Sequence, residues 1–204
     1  MARIDDYFNA KAIAAETLAA RPLDELIAVS GFEKNDTESF RISFLDRNYR
    51  ISYPEFTFTD EDDAGREVPI QEQVLLLHYL MGCTEQGPSG RWIAYREIPG
   101  AAFYMSAFIK RATNPAKNVF GANLKAFQTA AARLNGQTSG SGDAGFQFQV
   151  LPKIALQVII WEGDEEFEAE SSILFDEIAG QILSPEDSAW LAGMLVYRLM
   201  SLSR

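Results

Sequence analysis

The sequence predicts an α+β fold, a mainly antiparallel sheet packed against several helices in a single domain of 204 residues. Three observations predict it. The spacing of apolar residues changes from helical to alternating near residue 39 and back to helical near residue 70. The clearest strand-like segments, residues 40–53 and 146–161, come as neighbouring pairs rather than in strict alternation with helices, which favours antiparallel pairing. No stretch has the composition of a linker, and the length suits one domain.

The elements follow in order. Residues 4–20 read as a helix, with Ile4, Phe8, Ala12 and Ala15 at helical spacing and Tyr7, Ala14 and Leu18 widening the apolar side. Arg21-Pro22 breaks it, and a short second helix ends at Gly31, so residues 1–31 form a helical N-terminal segment. Phe40, Ile42 and Phe44 alternate with Ser39, Arg41 and Ser43. The alternation resumes at Tyr49, Ile51 and Tyr53 after Asp46-Arg47-Asn48, which predicts a hairpin turn at those three residues. Phe56 and Phe58 extend the sheet, and the acidic residues 59–67 form a solvated loop.

Pro69 opens the most apolar helix, IQEQVLLLHYLMG, and GPSG at 87–90 is a turn. RWIAYREI is a strand stopped by Pro99-Gly100. Residues 101–111 form an aromatic helix. Asn114-Pro115 starts another, which carries Phe120, Leu124, Phe127, Ala131 and Leu134 to its end at Asn135-Gly136. Residues 136–145, GQTSGSGDAG, read as a flexible loop. FQFQV and IALQVIIW are strands. Ser184-Pro185-Glu186-Asp187 caps a last helix running to about Leu202.

Composition narrows the function classes. The formal net charge is −11, which repels phosphate backbones and argues against nucleic-acid binding. No stretch reaches the length of a membrane span, and MARIDDYFNAKAIAAE lacks the apolar core of a leader. Cys83 is the one cysteine, so this chain alone holds no disulfide and no iron–sulfur cluster. A cytoplasmic protein is the expectation. The motifs G-x-S-x-G, H-E-x-x-H and C-x-x-C do not occur, and catalytic residues stay unassigned. The Gly/Ser loop at 136–145 runs helix, loop, strand, the reverse of a phosphate loop, and lacks the G-K-[ST] ending.

One corner stands out. In WEGDEEFEAE, residues 161–170, six of ten residues are carboxylates and none is basic. Such a cluster needs water, arginine or a cation nearby. Three readings are open: a solvated edge that discourages sheet-to-sheet pairing, a partner-docking surface, or a divalent cation site. For the last, Asp164, Glu165, Glu166 and Asp176 supply hard oxygen ligands for Mg²⁺ or Ca²⁺. His78, the lone histidine, lies within the apolar helix beside Tyr79. It is either a packed, hydrogen-bonded side chain or an axial ligand or acid/base group.

Three segments together resemble a known family. PIQEQVLLLHYLMG, RWIAYREIPGAAFYMSAF and VLPKIALQVIIWEGDEEFEAESSILFDEIAGQILSPED are similar to the family called domain of unknown function 3786. G-D-E-E-F at 163–167 and I-L-F-D at 173–176 are the most specific pieces. Glu168-Ala169 stand where the family pattern has proline. The family carries no assigned activity. The resemblance implies a setting in anaerobes, near corrinoid, tetrapyrrole and iron–sulfur metabolism, because some members are joined to iron–sulfur domains like those of corrinoid proteins.

The expected function is a non-enzymatic accessory module that binds a cofactor or a protein partner. Its pocket would lie between the sheet and the helix at 69–82, with His78, Tyr79 and Trp161 as contacts for a corrinoid or tetrapyrrole. One rival is an enzyme using Mg²⁺ or Ca²⁺ at Asp164, Glu165, Glu166 and Asp176. Another is a homodimer formed through the C-terminal helix.

Overall fold

The computed structural model describes residues 4–204; residues 1–3, where the leader reading begins, lie outside them. The α+β class holds, with two antiparallel sheets. The chain divides after Gly87 into two compact units.

The first unit runs α1 (Ile4–Ala19), α2 (Leu23–Ser30), β1 (Glu33–Lys34), β2 (Ser39–Phe44), β3 (Arg47–Ser52), β4 (Phe58–Asp60) and α3 (Ile70–Gly82). Its strands lie side by side in chain order, each antiparallel to the next. Alternation decides the faces. Phe40, Ile42, Phe44, Tyr49 and Ile51 are buried, while Arg41, Ser43 and Arg50 face solvent. Phe32 stacks on Phe40 and leans on Tyr79, which ties the sheet's inner face to α3. α1 buries Ala14 and Leu18 and leaves Ile4 and Phe8 exposed, so the packed side is rotated from the stripe the spacing favours.

The hairpin turn differs from expectation by one residue. Phe44 pairs with Arg47, so the turn is Leu45-Asp46, with Leu45 left-handed at φ 57°. Asn48 belongs to β3 instead. Its side-chain oxygen accepts from Ser43 Oγ at 2.7 Å, and its backbone N–H donates to Asp62 at 2.9 Å. Cross-strand bonds outweigh the turn preference of asparagine here.

The second unit carries β5 (Trp92–Ala94), α4 (Met105–Phe108), α5 (Asn114–Phe120), α6 (Leu124–Arg133), β6 (Gln137–Thr138), β7 (Ala144–Leu151), β8 (Ile154–Trp161), β9 (Glu170–Asp176), α7 (Ala179–Ile182) and α8 (Pro185–Leu202). The strand order is β5-β9-β8-β7-β6, antiparallel throughout. β8 is central and buried on both faces, which accounts for its unbroken apolar run. Tyr95 stacks on Phe108 at 4.1 Å between ring centres, and both lean on Phe175 of β9.

Three elements depart from the sequence reading. The strand at 91–98 stops after Ala94, because the Glu97 carboxylate accepts the Ala94 N–H at 2.7 Å and winds residues 95–97 into a 3₁₀ turn. The two helices expected over 101–134 are partitioned differently. A π-helical turn, Ile109–Thr113, joins α4 to α5, and the second break falls at 121–123, where Asn123 caps α6 by accepting from Ala126 N–H. The Gly/Ser segment adds a short strand, β6, to the sheet before its loop. Gln137 and Thr138 pair with β7, the Ser139 N–H reaches the Gly145 carbonyl at 2.9 Å, and Asp143 accepts the Glu162 N–H at 2.8 Å.

Candidate functional site

The most distinctive surface of the second unit is the loop between β8 and β9. β8 leaves the interior at Trp161, which is 39% exposed and pairs with Glu170 at the start of β9. Residues 162–169 close the hairpin between them. Asp164 organises this loop. One of its carboxylate oxygens accepts the N–H groups of Phe167 at 2.7 Å and Glu166 at 2.8 Å, and its own N–H donates to the Phe167 carbonyl at 2.9 Å. Those backbone bonds hold the Asp164 carboxyl below its ordinary pKa, so it stays ionised.

The loop lies against α5. The Gly163 N–H donates to the Gly121 carbonyl at 3.1 Å, and Lys117 pairs with Glu168 at 3.0 Å. This approach requires two glycines. A Cβ on Gly121 would fall 2.3 Å from that of Ala169, and one on Gly163 would fall 2.7 Å from the Ala169 nitrogen. A groove of about 400 Å³ opens there, lined by Lys117, Asn118 and Ala122 on one side and Asp164, Phe167 and Glu168 on the other. Phe167 is 70% exposed, an aromatic ring set among carboxylates. Apart from Glu168, the glutamates of the segment (162, 165, 166 and 170) have no ion-pair partner among the described residues.

The proposed cation ligands do not gather. Asp164 is committed to its own loop, and Glu165 and Glu166 face solvent. Asp176 ends β9 opposite Trp92, six residues from Glu170, about 20 Å along the strand. It is 2% exposed and fully engaged, accepting from Gly90 N–H at 2.7 Å, Ser89 Oγ at 2.9 Å, and Ser89 and Ile178 N–H at 3.0 Å each. It holds Ser89 and Gly90 onto the end of β9. Among the described residues no three His, Cys, Asp or Glu side chains form a group able to hold a metal ion.

The proposed cofactor contacts fall in different units. Tyr79, on α3 of the first unit, is fully buried and donates its hydroxyl to the Ser30 carbonyl at 2.7 Å, which is a packing role. His78 beside it is half-buried. Trp161 is in the second unit. The C-terminal helix α8 buries Leu191, Leu195, Val196 and Leu199 within its own unit, and Tyr197 is its exposed large apolar residue. No described helix is long and apolar enough to cross a membrane.

The residue that sequence reasoning passed over is Phe167. Its signal in the sequence is an apolar side chain isolated in a run of acids.

No curated protein and no solved structure matches the chain. The family described as domain of unknown function (DUF3786) matches residues 23–198, from α2 almost to the end of α8 and including the whole acidic hairpin. The chain belongs to this family.

Proposed function

We propose that this chain is a non-enzymatic, cytoplasmic accessory module that docks a protein partner through the hairpin loop at 162–169. The observation that carries the reading is the exposed Phe167 ring, presented on a loop fixed by Asp164 and by the contact between Gly163 and Gly121. An exposed aromatic inside a rim of charge is the arrangement of an interface anchor. The glutamates around it select a partner with lysines or arginines encircling an apolar pocket, and they speed encounter more than they add affinity. We draw the partner from corrinoid, tetrapyrrole or iron–sulfur metabolism on the family resemblance alone.

The test is affinity capture from extracts of the native cell with wild-type protein and with Phe167→Ala. The expected result is one basic partner retained by the wild type and lost in the variant, with unchanged melting temperature. A partner retained equally by both, or retention of the wild type that is insensitive to salt, refutes the assignment.

A further inference from the structure

A second surface, in the first unit, carries an independent argument. Ile4, Phe8, Ala12, Ala15 and Ala19 recur along α1 at steps of three and four residues, so they form one line on the helix, about 22 Å long and without a charged side chain. This line is not the side that packs. α1 buries Ala14 and Leu18, and Ala15 and Ala19 follow them by one residue, about 100° further round the helix. Ile4 is 61% exposed and Phe8 55%, Ala12 and Ala19 are exposed, and Ala15 is half-buried. Single exposed apolar side chains are ordinary on a protein surface. A run of them at helical spacing, with a phenyl ring among them, makes a continuous apolar strip of the kind that marks an interaction site.

The sizes along the strip match it to a second copy of itself. Both large side chains, Ile4 and Phe8, lie in the N-terminal half, and the C-terminal half of the strip carries alanines alone. Two such helices running in the same direction would set Phe8 on Phe8 and hold Ala15 and Ala19 out of contact. Running in opposite directions about a twofold axis near Ala12, they set Ile4 against the second copy's Ala19 and Phe8 against its Ala15. Large then meets small along the whole strip, and the axes stay evenly spaced at the close approach that alanines permit, roughly 8 Å. Such a pairing uses the same patch on both copies and closes at two, leaving no surface for further growth.

We infer that the chain self-associates through α1 as an antiparallel helix pair, with Phe8 of each copy seated over Ala15 of the other. One helix face makes a small interface, at the weak end of specific ones. The dimer therefore forms at protein concentrations on the order of 100 μM and dissociates on dilution.

The experiment is sedimentation equilibrium of the full chain, with disulfide capture to read the direction of the helices. Expected is a mass of 22.7 kDa in dilute solution that rises toward twice that value with concentration, and loss of the rise in Phe8→Arg. Phe8 is exposed, so the dilute variant keeps the wild-type melting temperature. The native Cys83 is buried and does not compete in the capture. On oxidation Ala12→Cys crosslinks to itself, whereas Ile4→Cys and Ala19→Cys crosslink only when the two are mixed. A monomer mass at every concentration, a dimer that survives Phe8→Arg, or self-crosslinking of Ile4→Cys overturns the inference. A dimer lost in Tyr197→Arg but kept in Phe8→Arg places the contact on α8 and overturns it as well. None of these outcomes depends on Phe167 or on a protein partner.

Discussion

At the scale of single residues, Asp176 shows how a carboxylate that reads as a ligand can be structural. Burial alone pushes its pKa up. The four donors from Ile178, Ser89 and Gly90 outweigh that and hold it below the ordinary aspartate value. The consequence for stability has a definite sign. A depressed folded-state pKa contributes stability that is fully present above the unfolded value of about 3.9 and is lost as pH falls through the folded value. Asp176→Asn keeps one acceptor oxygen for Ser89 and Ile178 and turns its amide NH₂ toward the Gly90 N–H, which can only donate. We expect it to cost about 2 kcal/mol at neutral pH. It should also flatten the fall of melting temperature between about pH 4 and pH 2 relative to wild type. Thermal melts of the two proteins across that range check both effects. An acid limb of unchanged steepness would mean that other carboxylates govern it.

At the scale of elements, the acidic hairpin is positioned by its backbone rather than by its charge. Gly121 terminates α5 and lets Ala169 approach, so Gly121→Ala forces the loop away from the helix: its Cβ would sit 2.3 Å from the Ala169 Cβ and 2.6 Å from the Lys117 carbonyl. We expect a loss of about 1–3 kcal/mol, the range for overpacking, together with loss of whatever Phe167 binds. Gly140, with φ 71° and nothing near its missing Cβ, is the control in a second loop of the same unit, where alanine strains the backbone without moving the hairpin. Denaturant melts and Phe167-region amide shifts separate the two. How legible these elements were in the sequence varies for physical reasons. β8 was plain because burial on both faces leaves a continuous apolar run. β9 was not read as a strand: its first half, Glu170 to Ser172, is polar, and only its pairing with β8 makes it one. The break between α5 and α6 was hidden because Phe120, Leu124 and Phe127 keep helical spacing across Gly121–Asn123. Phe120 still meets Phe127, at 5.2 Å between ring centres. The acidic corner was legible as a surface feature. Its anchor and its supporting glycines were not, since close approach of Gly121 to Ala169 is a tertiary fact.

At the scale of the whole molecule, each unit has its own sheet and its own aromatic core: Phe32, Phe40, Phe56 and Tyr79 in the first, Tyr95, Phe108, Phe127 and Phe175 in the second. Alternation within a window of eight residues reports strands but not which strands share a sheet, so one predicted sheet became two. The division after Gly87 leaves the 88–90 turn with the second unit, where Asp176 holds it. A chain of residues 88–204 thus keeps every strand of its sheet, the hydrogen bonds at its N-terminal edge, and the complete hairpin around Phe167. A core of this kind is of the size that folds alone. We expect residues 88–204, expressed separately, to melt in a single cooperative transition and to retain the dispersed amide shifts of the hairpin loop. A fragment that lacks a cooperative transition would show that the second sheet depends on the first unit for its stability.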